Sequence, residues 1–150
     1  MDQRPYGMDR SRRETVLASL RERCTERRWN VMAAPVRPNH VHLVVEAEAR
    51  PERVMNDLKS FASRCLNDRG LDEPARKRWA RHGSTRWLWK RENVSAAIRY
   101  VVDGQGDPMA VFEASEPPAN LTKLNRSLWS RLGMSEVFVP TFMSRTLVRR

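Results

Sequence analysis

The chain has 150 residues and a formal net charge of +10, from 28 lysines and arginines against 18 aspartates and glutamates. That length allows one domain with one modest core, and 40% apolar residues is ordinary for a globular protein, which excludes wholesale disorder. No apolar stretch approaches the ~20 residues needed to span a bilayer, and MDQRPYGMDRSRR lacks the hydrophobic region of a signal peptide, so a cytoplasmic protein is expected.

The positive set is mostly arginine, whose planar fork suits phosphate better than the point charge of lysine. Excess charge alone also keeps a protein in solution, yet a surplus of this size points to a polyanion partner. Cys24 and Cys65 belong to no CxxC pair or zinc-finger spacing and read as small core residues of a reducing compartment.

Residues 10–27 place Val16, Leu17, Leu20 and Cys24 on one stripe at helical spacing. WNVMAAPV, 29–36, reads as a strand. RPN is a turn, and VHLVVEA returns as a second strand, giving an antiparallel hairpin. Pro51 sits well in the first turn of the next helix, along which Val54, Leu58, Phe61, Cys65 and Leu66 recur in steps of three and four before Gly70 as a C-cap. PARKRWARHG, 74–83, is basic and irregular or briefly helical; STRWLWK, 84–90, alternates as a strand; RENVSAAIRYVVD, 91–103, is a helix stopped by Gly104 and Gly106. The order predicts an α+β fold with helices packed on one face of an antiparallel sheet. Residues 1–113 form the expected domain, and 114–150 are expected to be a basic C-terminal tail, partly disordered.

Side chains at i and i+2 of a strand share a face, so His40 and His42 converge while Val41 points into packing. Imidazoles roughly 7 Å apart can share one divalent ion. Two histidines that merely happen to sit in a strand fit the same pattern. On the helix 91–103, Val94, Ile98 and Val101 fall on one face, and Tyr100 lies some 120° away with Ala96 and Asp103 at ~100° per residue. A boundary tyrosine covering the core edge is the plain reading. The chemical one is a phenolate that attacks a phosphodiester and becomes linked to it, with a metal polarising the scissile phosphate. Tyr6, in an irregular-looking start, is the only other tyrosine. With oxygen donors completing the shell, the ion would be Mg²⁺ or Mn²⁺.

Four blocks in order, RPNHVHLVV, PERVMNDLKSFASRCLN, RKRWARHGSTRWLWK and ENVSAAIRYVVDGQG, resemble the single-tyrosine HUH transposases, in particular their REP-associated (RAYT-like) branch. The resemblance runs from about residue 5 to 113. It implies a ferredoxin-like or RRM-like sheet, and an enzyme that cuts single-stranded DNA at hairpin-forming repeats. His40 and His42 would then hold Mg²⁺ or Mn²⁺, and Tyr100 would be the nucleophile that takes the 5′-phosphate. Two subunits often pair in that family, so a homodimer is implied. A third ligand is implied near the tyrosine: helix geometry favours Asp103, family habit favours Gln105, and the reading leans to Gln105.

The chain departs from the family at its start, where MDQRPYGMD is no strand and the first family strand is missing. Either the start is truncated, the sheet is shorter, or SEVFVPTF, 135–142, supplies a strand, with Pro140 arguing for an edge. DNA contacts are expected from Arg76, Lys77, Arg78, Arg81, Arg86, Lys90 and Arg91. Trp79, Trp87 and Trp89 interleave with them, either as base-stacking faces or as core, and His82 is expected to be a plain surface histidine. The expected activity is a metal-dependent single-strand DNA endonuclease and strand transferase in the cytoplasm, at the nucleoid. The alternatives are a non-catalytic nucleic-acid-binding remnant and a metal-dependent hydrolase without a tyrosine intermediate.

Overall fold

The computed structural model describes residues 3–81, 83–88, 91–103 and 136–143. Three helices, α1 (Arg10–Arg27), α2 (Pro51–Asp68) and α3 (Arg91–Asp103), accompany five strands: β1 (Asn30–Ala33), β2 (His40–His42), β3 (Val44–Ala47), β4 (Ser84–Leu88) and β5 (Glu136–Met143). All strand pairs are antiparallel, and the fold is α+β as expected. β2 and β3 form one line interrupted at Leu43; β1 flanks it on one side and β5 on the other, with β4 beyond β5.

Residues 136–143 do form a strand, and it is interior rather than at an edge. Proline has no N–H for a ladder, and the sheet accommodates Pro140 by lapsing. His40 stands opposite Met143 and Val45 opposite Phe138, which sets Leu43 opposite Pro140, and the pairing with β5 lapses at Leu43 and Val44.

Alternation along β2 and β3 sorts the side chains onto two faces. Val41, Leu43, Val45 and Ala47 pack with Val16, Leu20 and Cys24 of α1 and with Val54, Leu58, Ala62 and Leu66 of α2. On the opposite face, Val44 joins Met32, Ala33 and Val94, with Ala97 and Ile98 against them. The helices are thus not all on one face: α1 and α2 cover one side and α3 the other. The run LVV carries the reason, since consecutive apolar residues in a strand need cover on both faces.

Both long helices end in the same way. Trp29 N–H donates to Cys24 O at 2.8 Å and Arg28 N–H to Thr25 O at 3.2 Å, while Leu71 N–H donates to Leu66 O at 3.0 Å and Gly70 N–H to Asn67 O at 2.8 Å. Each pair of bonds is a Schellman closure, which requires a left-handed residue. Gly70 takes it at φ +65 without strain; Arg28 takes it at φ 59 despite its Cβ. Asp9 caps the start of α1, accepting from the Arg12 N–H at 2.9 Å.

The start of the chain is no strand, as read, but it is anchored. Tyr6 and Met8 are buried, and Met8 N–H donates to Pro38 O at 2.8 Å. Both cysteines are free thiols; burial, then the charge of Asp57, pushes the Cys24 thiol up to about 12. Of the expected tail, residues 114–135 and 144–150 lie outside the described residues, as do Gln105, His82, Trp89 and Lys90.

Candidate active site

Pro38 and Asn39 occupy the two central positions of the turn that precedes β2. Proline fixes its own φ near −65°, which suits the first central position, and Asn39 needs no left-handed backbone here. Arg37 N–H donates to His40 O at 2.9 Å, His42 N–H donates to Pro35 O at 3.2 Å, and Val36 bridges Val41. This closes a tight hairpin that holds β2 rigidly. Val41 is buried, and both flanking histidines are half-exposed.

His40 and His42 point to the same side as Val44, which is the side that α3 covers. Their ring centroids are 4.8 Å apart and the planes meet at 81°, closer than strand repeat alone gives because the rings lean together edge to face. His40 Nδ1 lies 2.7 Å from Asn39 Oδ1. Two imidazole nitrogens on one rigid strand are a fitting half of a divalent-ion shell, with open positions left for oxygen donors. Among the described residues, no third His, Cys, Asp or Glu joins them in a cluster that could hold a metal. The side chain of Asp103 and the whole of Gln105 are outside what the structure describes.

Tyr100 is 62% exposed on α3, while Val94 of the same helix is fully buried and Ile98 packs beside it. The helical wheel and the structure agree on that orientation. Tyr6 is the opposite case. It is 4% exposed, and its hydroxyl donates to Asp72 Oδ2 at 2.6 Å. Burial, then that bond and the Asp72 charge, raise its phenol above the ordinary tyrosine range. Tyr6 is buried with its hydroxyl engaged by Asp72, so its role is structural, and Tyr100 is the accessible one.

The expected DNA-contact set divides. Arg78 is only 4% exposed, and its Nε donates to Asp72 Oδ2 at 2.9 Å. Its other nitrogens reach Asn67 Oδ1 and the carbonyls of Glu73 and Arg76. Arg12 Nε donates to the other Asp72 oxygen at 3.0 Å. Burial alone would raise the Asp72 carboxyl, but the bonds from Tyr6, Arg78 and Arg12 outweigh it and hold the carboxyl below its usual range. Arg78 is thus a core ion-pair residue and not on a surface where DNA can lie.

Arg76 is half-buried and donates to Arg4 O at 2.7 Å while lying over the Tyr6 ring at 5.4 Å. It fastens the first residues to the loop after α2. Lys77 and Arg81 are exposed. Trp79 belongs to the core edge, its Nε1 donating to Lys59 O at 3.1 Å and Ser63 Oγ at 3.0 Å. For Arg86, Trp87 and Arg91 the described structure is the backbone of β4 and α3.

Sequence reasoning missed Arg37 as a site neighbour. It is 5% exposed and stands opposite His40 in the hairpin. Its place directly before Pro-Asn was the available signal. A cleft of about 980 Å³ lies elsewhere, between the end of α1 and the start of α2, lined by Trp29, Arg50, Arg53, Glu48, Glu52 and Asp57 among others. It opens beside the residues after β3, about 20 Å along the strand direction from His42 at ~3.3 Å per residue. Its carboxylates balance its arginines, and its chemistry does not bear on the histidine pair.

A family profile described as "Transposase IS200 like" matches residues 3–97, more than half of the chain. The chain belongs to the IS200-like transposase family. The matched span contains the His40–His42 hairpin and ends three residues before Tyr100. No curated protein and no solved structure matches the chain. Among the described residues of this IS200-like family member, no helix is long and apolar enough to cross a membrane.

Proposed function

We propose that this IS200-like chain is a metal-dependent single-strand DNA endonuclease and strand transferase that works through a 5′-phosphotyrosine. One observation carries the reading: a rigid histidine pair and the helix bearing the exposed Tyr100 lie on the same face of the sheet. In this reading His40 and His42 hold Mg²⁺ or Mn²⁺, with Gln105 or Asp103 as the third protein ligand. The ion, when bound, withdraws charge from the nonbridging oxygens of the scissile phosphate.

The Tyr100 oxygen attacks phosphorus and loses its proton to solvent. The bond to the 3′ oxygen breaks, and that oxygen leaves as a 3′-hydroxyl after gaining a proton. Attack by a 3′-hydroxyl from another strand end reverses these bond changes and frees the tyrosine. Positive charge along the chain, including the exposed Lys77 and Arg81, draws in the DNA. The substrate proposed is single-stranded DNA with hairpin-forming repeats, bound by one chain or by a pair.

The test is a denaturing gel of the full chain incubated with Mn²⁺ and labelled single-stranded DNA carrying the repeat hairpins that flank its gene. A covalent adduct, lost in Tyr100→Phe and in His40→Ala/His42→Ala, is the expected result. Cleavage that persists in Tyr100→Phe would point to a hydrolase. Binding with no adduct, on folded protein, would overturn the enzyme reading in favour of a DNA-binding remnant.

A further inference from the structure

The chemistry of the His40–Asn39 contact is more specific than the presence of two histidines. Asn39 Oδ1 lies 2.7 Å from His40 Nδ1, and a carbonyl oxygen only accepts. The hydrogen in that bond therefore sits on Nδ1. A neutral imidazole carries one N–H, so Nε2 keeps its lone pair.

We propose that Asn39 is a positioning residue, whose side-chain carbonyl holds the His40 ring as the Nδ1–H tautomer and presents Nε2 as the donor atom toward a divalent cation. The cation part rests on the function proposed above; the tautomer part rests on the contact alone.

The surroundings favour a fixed orientation. Asn39 sits at the tip of a turn pinned on two sides, by Arg37 N–H to His40 O within the hairpin and by Met8 N–H to Pro38 O from the first residues of the chain. The His42 ring stands edge to face against His40 and limits its rotation. Val41 is fully buried, which locks the strand beneath both rings. An acceptor on the nitrogen away from the cation is the usual means of setting the tautomer and orientation of a histidine ligand. Here that acceptor is the neighbouring residue in sequence, so the turn that starts the strand also orients its first ligand.

The experiment uses the metal-free full chain with ¹⁵N-labelled histidine at about pH 8, above the ordinary histidine range of ~6.5. Long-range ¹H–¹⁵N spectra report which ring nitrogen of His40 carries hydrogen. The wild type is expected to show Nδ1 protonated and Nε2 bare. Asn39→Ala is expected to give a mixture of tautomers, and Asn39→Asp, which keeps an acceptor, is expected to restore the single form. A purely structural role for Asn39 would leave the tautomer unmoved.

A calorimetric titration with Mn²⁺ accompanies it: Asn39→Ala is expected to weaken binding about 10–100-fold, with recovery in Asn39→Asp. Hydrogen on Nε2 in the wild type would overturn the proposal outright, whatever the variants do. An unchanged tautomer and unchanged Mn²⁺ affinity in folded Asn39→Ala would overturn it as well. A wild type that shows the Nδ1–H form but binds no Mn²⁺ would sink the metal reading and leave the tautomer assignment standing.

Discussion

Arg78 and Asp72 form an ion pair at 2.9 Å with side chains only 3% and 6% exposed. The second Asp72 oxygen receives Arg12, and the Tyr6 hydroxyl adds a third donor. One carboxylate therefore joins the first residues of the chain, helix α1 and the loop after α2.

Removing that carboxylate strands a buried guanidinium. Asp72→Asn is expected to destabilise the fold by about 3 kcal/mol, since breaking a buried pair from one side leaves its partner uncompensated. The wild-type carboxyl has its folded pKa depressed below the ordinary value of ~3.9. The stability it adds is therefore fully present above that value and fades as pH falls through the lower, folded pKa. Urea unfolding from pH 7 down into the acid range should show a steep acid limb in the wild type and a flatter one in Asp72→Asn. The arginine cluster on Asp57, also depressed chiefly by its bond from Arg23, keeps part of the limb in both.

The two tyrosines should separate stability from chemistry. Tyr6→Phe deletes one buried hydrogen bond and is expected to cost about 1 kcal/mol while the DNA adduct still forms. Tyr100→Phe is expected to stay within about 0.5 kcal/mol of wild type, because the side chain is 62% exposed, and to abolish the adduct. Melting curves beside the denaturing gel check both. An adduct lost in folded Tyr6→Phe would contradict the assignment.

Arg28 is the residue to change for a gain. It holds a left-handed backbone at φ 59, a conformation that costs a Cβ-bearing residue about 1–2 kcal/mol. Arg28→Gly removes that cost and keeps the Schellman bonds, so a net stabilisation of about 0.5–1 kcal/mol is expected by chemical denaturation.

A chain ending at residue 113 should fail to fold. Without β5, β4 loses the only strand it pairs with among the described residues, and the line from His40 to Ala47 loses its partner on one side. A collapsed, poorly dispersed NMR spectrum is expected for 1–113 against a dispersed one for the full chain. A dispersed spectrum for 1–113 would show that the sheet closes without it.

The local elements were legible because each rests on near-neighbour chemistry. Pro51 and Gly70 mark the ends of α2 by backbone preference, and Pro38-Asn39 marks the turn. Tyr100 was placed correctly by the wheel, since Val94 and Ile98 define the buried stripe. What failed was non-local. Arg78 looked like any other arginine in RKRWAR, and nothing in that string announces a carboxylate six residues earlier as its partner, shared with Arg12 and Tyr6. Pro140 argued for an edge by its own chemistry; its interior place depends on a lapse in pairing at Leu43 and Val44 in a distant segment. The second covered face was signalled by consecutive apolar residues at Leu43, Val44 and Val45, a pattern more often read as simple hydrophobicity.

The interior position of β5 also sets an order of events during synthesis. The strand bearing His40 and His42 leaves the ribosome long before Glu136–Met143, and until that segment arrives it lacks the one strand it pairs with among the described residues, leaving it the Val36–Val41 bridge of its own hairpin. A two-stranded hairpin is marginal in water, and pairing across so long a separation is slow. The nascent protein therefore carries His40 and His42 in an unassembled sheet while most of the chain is made. The sheet face that bears the histidine pair is completed only once translation has passed Met143.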